Sequence, residues 1–300
     1  CRPRVEYAVM EVDIGAVEEA AKLLYIRALK VLPDDIKEGF RHIDASESDT
    51  TAKAVIATMI ENIAVAERTE NLLCQDTGIP IYNVTIGRGV EVDGVELKEA
   101  IRRGCERATR EHPLRSSVVH PITRVNEHTS CGRRVPVISI DFCERSEELR
   151  IEMIPKGSGS ENGSFLKMCI PAEGVDAIKT FVVDKVIEVG GRVCPPTIVG
   201  VGLGGTSDLC AHLAKMAATR PLGSVCEDPV GAELERELSE AVNSLGIGPQ
   251  GLGGDSTAFA VHVETAATHI TMYPVMVNIQ CHSARRATAT FTPQGIEYGF

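Results

Sequence analysis

Cys74-Gln-Asp-Thr-Gly78 puts three chemically useful groups on one short stretch. A thiolate can bind a soft metal, an amide can donate and accept hydrogen bonds, and a carboxylate can move a proton. Gly78 and Pro80 then turn the backbone. Two more cysteines have comparable surroundings. Cys194 precedes Pro195-Pro196 and an apolar strand, and Cys281 ends the apolar run Val275 to Ile279 ahead of His-Ser-Ala-Arg-Arg. Each stands at the edge of an element, where ligands and catalytic groups gather. The competing interpretation is that a cysteine is a small buried hydrophobe. Cys105 fits that interpretation, since it shares a helical stripe with Leu97, Ile101 and Ala108. No C-x-x-C pair occurs, and the wide separations of Cys74, Cys194 and Cys281 match no metal motif, so spacing alone leaves both interpretations open.

Composition narrows the classes. Ten cysteines with no secretory pattern point to reduced thiols and to a cytoplasmic protein. No apolar run is long enough to span a bilayer, so no membrane partner is expected. A net charge of -11, no Trp and only 4% aromatics argue against a nucleic-acid surface. An acidic chain can still hold a small anion through a local arginine.

These groups need elements to position them. Apolar periodicity predicts helices over 14–31 and 50–68, forming an opening helical layer, with Pro33 ending the first. A strand is expected from Ile79 to Ile86, a hairpin turn at Asp93-Gly94 and a helix from about Leu97 to Arg110. Arg115 falls on a loop, and residues 121–134 look irregular and polar. Strands follow at Val135–Phe142 and Leu149–Ile154, then the glycine-rich stretch Lys156–Gly163 and a helix over Val175–Val189. Thr197–Leu203 is predicted as a buried strand. The next helix should face inward through Leu209, Leu213 and Met216, and another should cover Val230–Leu245. Strands at Thr257–Thr265 and Pro274–Cys281 close the core. Gly200-x-Gly202-x-Gly204-Gly205 lacks the register of a dinucleotide loop. The expected fold is one mixed α/β domain over residues 1–300, with a helical N-terminal layer and no regular doubly wound sheet.

CQDTGIP, CPPTIVGVGLGGTSD, GIGPQGLGG and NIQCHSAR, in this order, resemble the α subunit of class I iron–sulfur fumarate hydratases and the related tartrate dehydratases. KGSGSENGSFLKMCIPAEG resembles the lysine-glycine loop of that family, and the match runs from about residue 50 to 286. The resemblance implies that Cys74, Cys194 and Cys281 hold a [4Fe-4S] cluster with one iron left open as a Lewis acid. It implies substrate contacts from Gln75, Arg115, Gly157 and Gly159, and an acid/base pair of Asp76 and His269. His262 is expected to be a hydrogen-bonded structural histidine. One departure stands out. The family has a short N-T-G-x-N segment where this chain has Asn126 followed by Glu-His-Thr-Ser-Cys-Gly-Arg-Arg.

The resemblance thus implies a hydro-lyase that interconverts fumarate and (S)-malate. A small dicarboxylate is its substrate, and the catalytic β domain is expected on a separate subunit of a hetero-oligomer. The near alternative is tartrate dehydratase chemistry. A non-catalytic iron–sulfur sensor is the alternative of another class, and Gln75, Asp76 and Arg115 beside the cysteine motifs favour an enzyme over it.

Overall fold

The computed structural model describes residues 9–300. Helices and mixed sheets alternate along the chain, as the α/β expectation requires. In order the elements are β1 (Met10–Glu11), α1 (Ile14–Lys30), α2 (Asp34–Ser46), α3 (Thr50–Arg68), β2 (Ile79–Gly87), β3 (Val90–Glu91), α4 (Gly94–Glu111), β4 (Val137–Cys143) and β5 (Leu149–Lys156). They continue with α5 (Ser158–Glu161), β6 (Ser164–Met168), α6 (Gly174–Val189), β7 (Thr197–Gly204), α7 (Ser207–Thr219), α8 (Pro229–Asn243), β8 (Ala258–Ala266), β9 (Pro274–Gln280), β10 (Ala287–Thr292) and β11 (Gly295–Gly299). No helix among the described residues is long and apolar enough to cross a membrane.

The chain divides into two compact units. The first takes the described residues up to Pro33, then Thr69–Lys156 and Arg285–Phe300. Its five-stranded sheet has the order β11-β10-β5-β2-β4, with β2 and β4 parallel and the other pairs antiparallel. The core joins Leu24, Leu29, Leu97, Ile101 and Cys105 of α1 and α4 to Tyr82, Ile151 and Met153 of the sheet. The two helices touch closely, since a Cβ on Gly104 would lie 2.3 Å from the Glu18 carbonyl oxygen. Asp93-Gly94 is not a hairpin turn. The Asp93 carboxylate accepts from the amides of Val95 and Glu96 at 2.8 and 3.1 Å and so caps α4, which starts three residues earlier than periodicity predicts.

The second unit takes Asp34–Arg68 and Gly157–Ala284. Of the two helices predicted to open the chain, α1 belongs to the first unit and α3 to the second. Between them in sequence lies α2, not among the expected helices although Ile36, Phe40 and Ile43 recur on its buried face. The second unit's four-stranded sheet has the order β6-β9-β7-β8, with only β7 and β8 parallel. Glu47, 2% exposed, accepts from the backbone amides of Asp49, Asp255 and Ser256 and ties the α2–α3 junction to the loop before β8.

Strand β7 is the element on which this unit is built. Helix α7 lies directly on it, and its buried residues are Cys210, Ala214, Ala217 and Ala218. Leu209 and Met216, predicted to point inward, are exposed at 40% and 45%. The reason is the glycine spacing. A Cβ on Gly200 would lie 2.2 Å from the Ala214 carbonyl oxygen, and one on Gly202 would lie 2.1 Å from that of Cys210. Helix and strand approach so closely that only small residues fit between them. The glycines serve packing here, and the Cys210 thiol donates to the Gly202 carbonyl at 3.1 Å. We expect Gly202→Ala to cost about 3 kcal/mol or more through overpacking against backbone. A denaturant midpoint equal to that of the unmodified chain would show that α7 can move aside.

Candidate functional site

The Cys74 loop belongs to the first unit and hangs on Thr77, which is fully buried. The Tyr25 hydroxyl donates to the Thr77 carbonyl at 3.1 Å. The Thr77 hydroxyl donates to the Arg115 carbonyl and lies 3.3 Å from the Ser117 hydroxyl. Asp76 accepts from the Gly78 amide at 2.9 Å, closing a tight turn. Gly78 has φ +69, and a Cβ there would lie 2.7 Å from the Lys156 carbonyl oxygen, so the position requires glycine. With its base fixed in this way, the loop leaves Cys74 and Gln75 exposed and Asp76 half-buried. Thr77 also joins this loop to the segment carrying Arg115, whose side chain is exposed. That segment is held from its other side too. Asn126 donates to the Ser116 carbonyl at 2.9 Å, and the Ser130 amide donates to the Ser116 hydroxyl at 3.0 Å. The atypical loop therefore supports the backbone beside Arg115.

In the second unit Cys194 and Cys281 come together. Strand β9 runs antiparallel to β7 and pairs Gln280 with Ile198, so the residues after Gln280 meet those before Thr197. The Cys194 carbonyl accepts from the His282 amide at 3.2 Å and contacts the His282 Nδ1 at 3.1 Å. Cys194 itself is left-handed, with φ 55 and ψ 68. Gln250, also left-handed at φ 56, donates its amide to the Pro195 carbonyl at 2.9 Å. The Cys281 sulfur lies 3.1 Å from the Ser283 hydroxyl. Gly157 and Gly159 reach the same end of the sheet. The Ser160 hydroxyl donates to the Gly157 carbonyl at 3.0 Å and approaches Gln280 Oε1 at 3.4 Å. A Cβ on Gly159 would lie 3.5 Å from the Arg192 carbonyl, two residues before Cys194.

His269 lies elsewhere. It sits on the loop between β8 and β9, at the C-terminal end of β7, where Gly204 pairs with Ala266 and Leu203 with Val275. The eight residues of β7 separate it from the cysteine pair, which at about 3.3 Å per residue is roughly 23 Å. Its Nδ1 accepts from the Thr271 amide at 3.2 Å, which leaves the neutral ring's proton on Nε2. His262 is 2% exposed with Nδ1 3.1 Å from the Ala217 carbonyl, and burial foremost lowers its pKa to about 4, in keeping with the structural role expected for it.

Accessibility sorts the thiols. Cys74 and Cys194 are exposed and Cys281 and Cys143 are half-buried, whereas Cys105, Cys131, Cys169, Cys210 and Cys226 are buried. Burial pushes the Cys210 thiol up to about 11 and raises those of Cys105, Cys169 and Cys226. The Cys131 thiol is lowered, first by its hydrogen bond with Cys105. Metal ligation needs an accessible thiolate, so by donor chemistry the three predicted cysteines suit a thiolate-ligated iron–sulfur group better than the buried ones do. Among the described residues no three His, Cys, Asp or Glu side chains converge closely enough to hold a metal ion. The residues that hold the loops, none of them among the candidate residues, are Thr77, Gln250, His282 and Ser283. Their signal was in the quoted motifs, where they stand beside the cysteines or the glycines.

Comparison with known proteins gives the family of the chain. The family described as fumarate hydratase (Fumerase) matches residues 18–290. A putative L(+)-tartrate dehydratase subunit alpha of Methanocaldococcus jannaschii is 44% identical over 266 residues, covering 88% of this chain and 93% of that protein. The L(+)-tartrate dehydratase subunit alpha of Escherichia coli K12 is 34% identical over 257 residues, covering 86% of this chain and 84% of that protein. The chain therefore belongs to the fumarate hydratase (Fumerase) family, with the tartrate dehydratase α subunits among its relatives, and is a hydro-lyase.

Proposed function

We propose that this chain is the α subunit of a two-subunit L(+)-tartrate dehydratase, which removes water from the (2R,3R) dihydroxy diacid to give oxaloacetate. The likeness to fumarate hydratases suggested fumarate and malate first. The observation that carries the change is that the relatives covering most of this chain are named L(+)-tartrate dehydratase α subunits. The departure of residues 127–134 from the fumarase pattern points the same way.

In this reading Cys74, Cys194 and Cys281 hold the [4Fe-4S] cluster. When bound, such a cluster supplies Lewis acidity at the iron that lacks a thiolate. The chain's other groups bind and orient. Arg115 pairs with one substrate carboxylate through its planar fork, and the Gln75 amide hydrogen-bonds to the substrate. Backbone amides at Gly157 and Gly159 receive another oxygen. Asp76 exchanges a proton with the departing or entering water. His269 was expected to share that task; within its own unit it stands at the other end of β7 from Cys194 and Cys281, roughly 23 Å along the strand, and in this reading the transfer is given to Asp76. The β subunit, implied by the relatives' designation as α subunits, brings the base that removes the carbon-bound proton.

The test is turnover by the anaerobically reconstituted pair on both tartrate enantiomers, meso-tartrate, malate and fumarate. We expect L(+)-tartrate to exceed malate in kcat/KM by about 10²-fold or more, because a site with partners for a second hydroxyl leaves them unpaired when it is missing. Malate as the better substrate would return the enzyme to fumarate hydration. Equal rates by this chain with and without the β subunit would remove the two-subunit reading.

A further inference from the structure

Arg285 is a buried cation with an unused donor. It is 2% exposed. Its Nη2 reaches the Pro155 carbonyl at 3.5 Å, a weak contact. Its Nη1 is fully buried and has no hydrogen-bond partner. A guanidinium stays charged in a protein, so this arrangement is costly in the state described. Buried charges are ordinarily paired, and an orphaned one calls for an explanation.

The surroundings supply one. Pro155 lies on β5 opposite Pro80 of β2, two residues beyond Gly78. Gly78 packs against the backbone of Pro155 and Lys156, as its missing Cβ shows. Tyr25, whose hydroxyl holds Thr77, also senses this charge: burial foremost pushes its phenol up, and Arg285 is among the groups that pull it back. Arg285 therefore lies beneath the turn Thr77–Gly78, within the same unit as that turn. Three residues earlier is Cys74, and one residue earlier is Asp76.

We infer that Arg285 is a positioning residue whose unpaired Nη1 is reserved for an anion held at the Cys74–Gly78 turn in the working enzyme. The anion is either the negatively charged thiolate–iron assembly or a carboxylate of the hydroxy-diacid substrate. The inference deepens the proposed function and rests on it for the identity of that anion. It does not depend on which hydroxy acid is turned over.

The experiment compares the full chain with Arg285→Met and Arg285→Lys, first metal-free and then loaded with iron and sulfide and joined to its β subunit. Methionine fills much of the arginine volume without the charge. Because it relieves an uncompensated buried cation, metal-free Arg285→Met should melt no lower than the unmodified chain, and about 2–4 °C higher if the relief is complete. The loaded variant should behave in the opposite sense. If the anion is the iron assembly, iron retained per chain falls or the cluster's reduction potential shifts. If it is the substrate, KM rises about 10-fold or more with iron unchanged. Arg285→Lys, which keeps charge but not the fork, should recover part of whichever loss appears. Two results overturn the inference: a lower melting point for metal-free Arg285→Met, which makes the guanidinium a satisfied structural group, or a loaded variant whose iron, potential and KM all match the unmodified chain. Failure on tartrate alone would overturn the substrate assignment while leaving melting and iron readouts intact.

Discussion

Cys194→Ser should lose most of the iron from anaerobically prepared protein, and turnover with it by about 10³-fold, because several kcal/mol of Lewis-acid stabilisation go with the metal. Cys74→Ser and Cys281→Ser should do the same. Cys210→Ser and Cys105→Ser should keep about four irons per chain, as a cubane cluster requires. The contrast follows from where the thiols lie. Cys194 is exposed on a left-handed residue whose carbonyl is bound by His282, the neighbour of Cys281, so each sulfur's backbone is fixed by the other's loop. Cys210 faces the Gly202 carbonyl at 3.1 Å beneath α7, and a serine hydroxyl can make the same bond. Iron and sulfide analysis of the five variants decides the matter. Equal iron in Cys194→Ser and Cys210→Ser would sink the ligand assignment.

Asp76→Asn should retain iron and substrate affinity yet turn over about 10²-fold more slowly. The substitution nearly preserves shape, and the amide oxygen can still accept from the Gly78 amide at the 2.9 Å seen for the carboxylate. Thr77 and Gly78, which hold the turn, are untouched, so Cys74 keeps its place. What disappears is the ability to take and return a proton. A fall in kcat with KM steady is the signature of a group that acts in the transition state. If the variant kept more than half of the unmodified turnover, proton transfer would have to be assigned to another group.

Local pattern was legible where one physical factor decided the outcome. The period of Val17, Ala21, Leu24 and Ala28 gave α1, and that stripe is buried. The stripe through Leu97, Ile101 and Cys105 gave the body of α4. Its start was misplaced because Asp93-Gly94 suits both a hairpin turn and a helix cap, and only the presence of the following helix favours the cap. The buried face of α7 was misassigned because hydrophobicity ranked Leu209 and Met216 above Cys210 and Ala214, whereas contact with Gly200 and Gly202 selects for small size. Strands β10 and β11 were missed because Ala287–Thr292 is rich in alanine and threonine rather than large apolar residues; it is buried by pairing with β5 and β11 and by packing into the core beside α1. At the site the cysteines were identified by motif. The bonds from Thr77 to Arg115 and from His282 to Cys194 join residues far apart in the chain, and no local pattern announces such partners.

Strand β10 also sets an order of events during synthesis. In the first unit's sheet it lies between β11 and β5, so β5 has only β2 as a neighbour until Ala287–Thr292 has been made. On the ribosome the residues of the second unit, through Ala284, emerge before those six. The second unit's chain is therefore complete while the first unit's sheet still ends at an open β5 carrying Leu149, Ile151 and Met153. An open strand edge of this kind, with unpaired backbone N–H and C=O groups, invites pairing with other nascent chains. A translational pause shortly before Ala287 should thus be the most aggregation-prone moment in the life of the chain, and early capture of β5 by a chaperone the most protective.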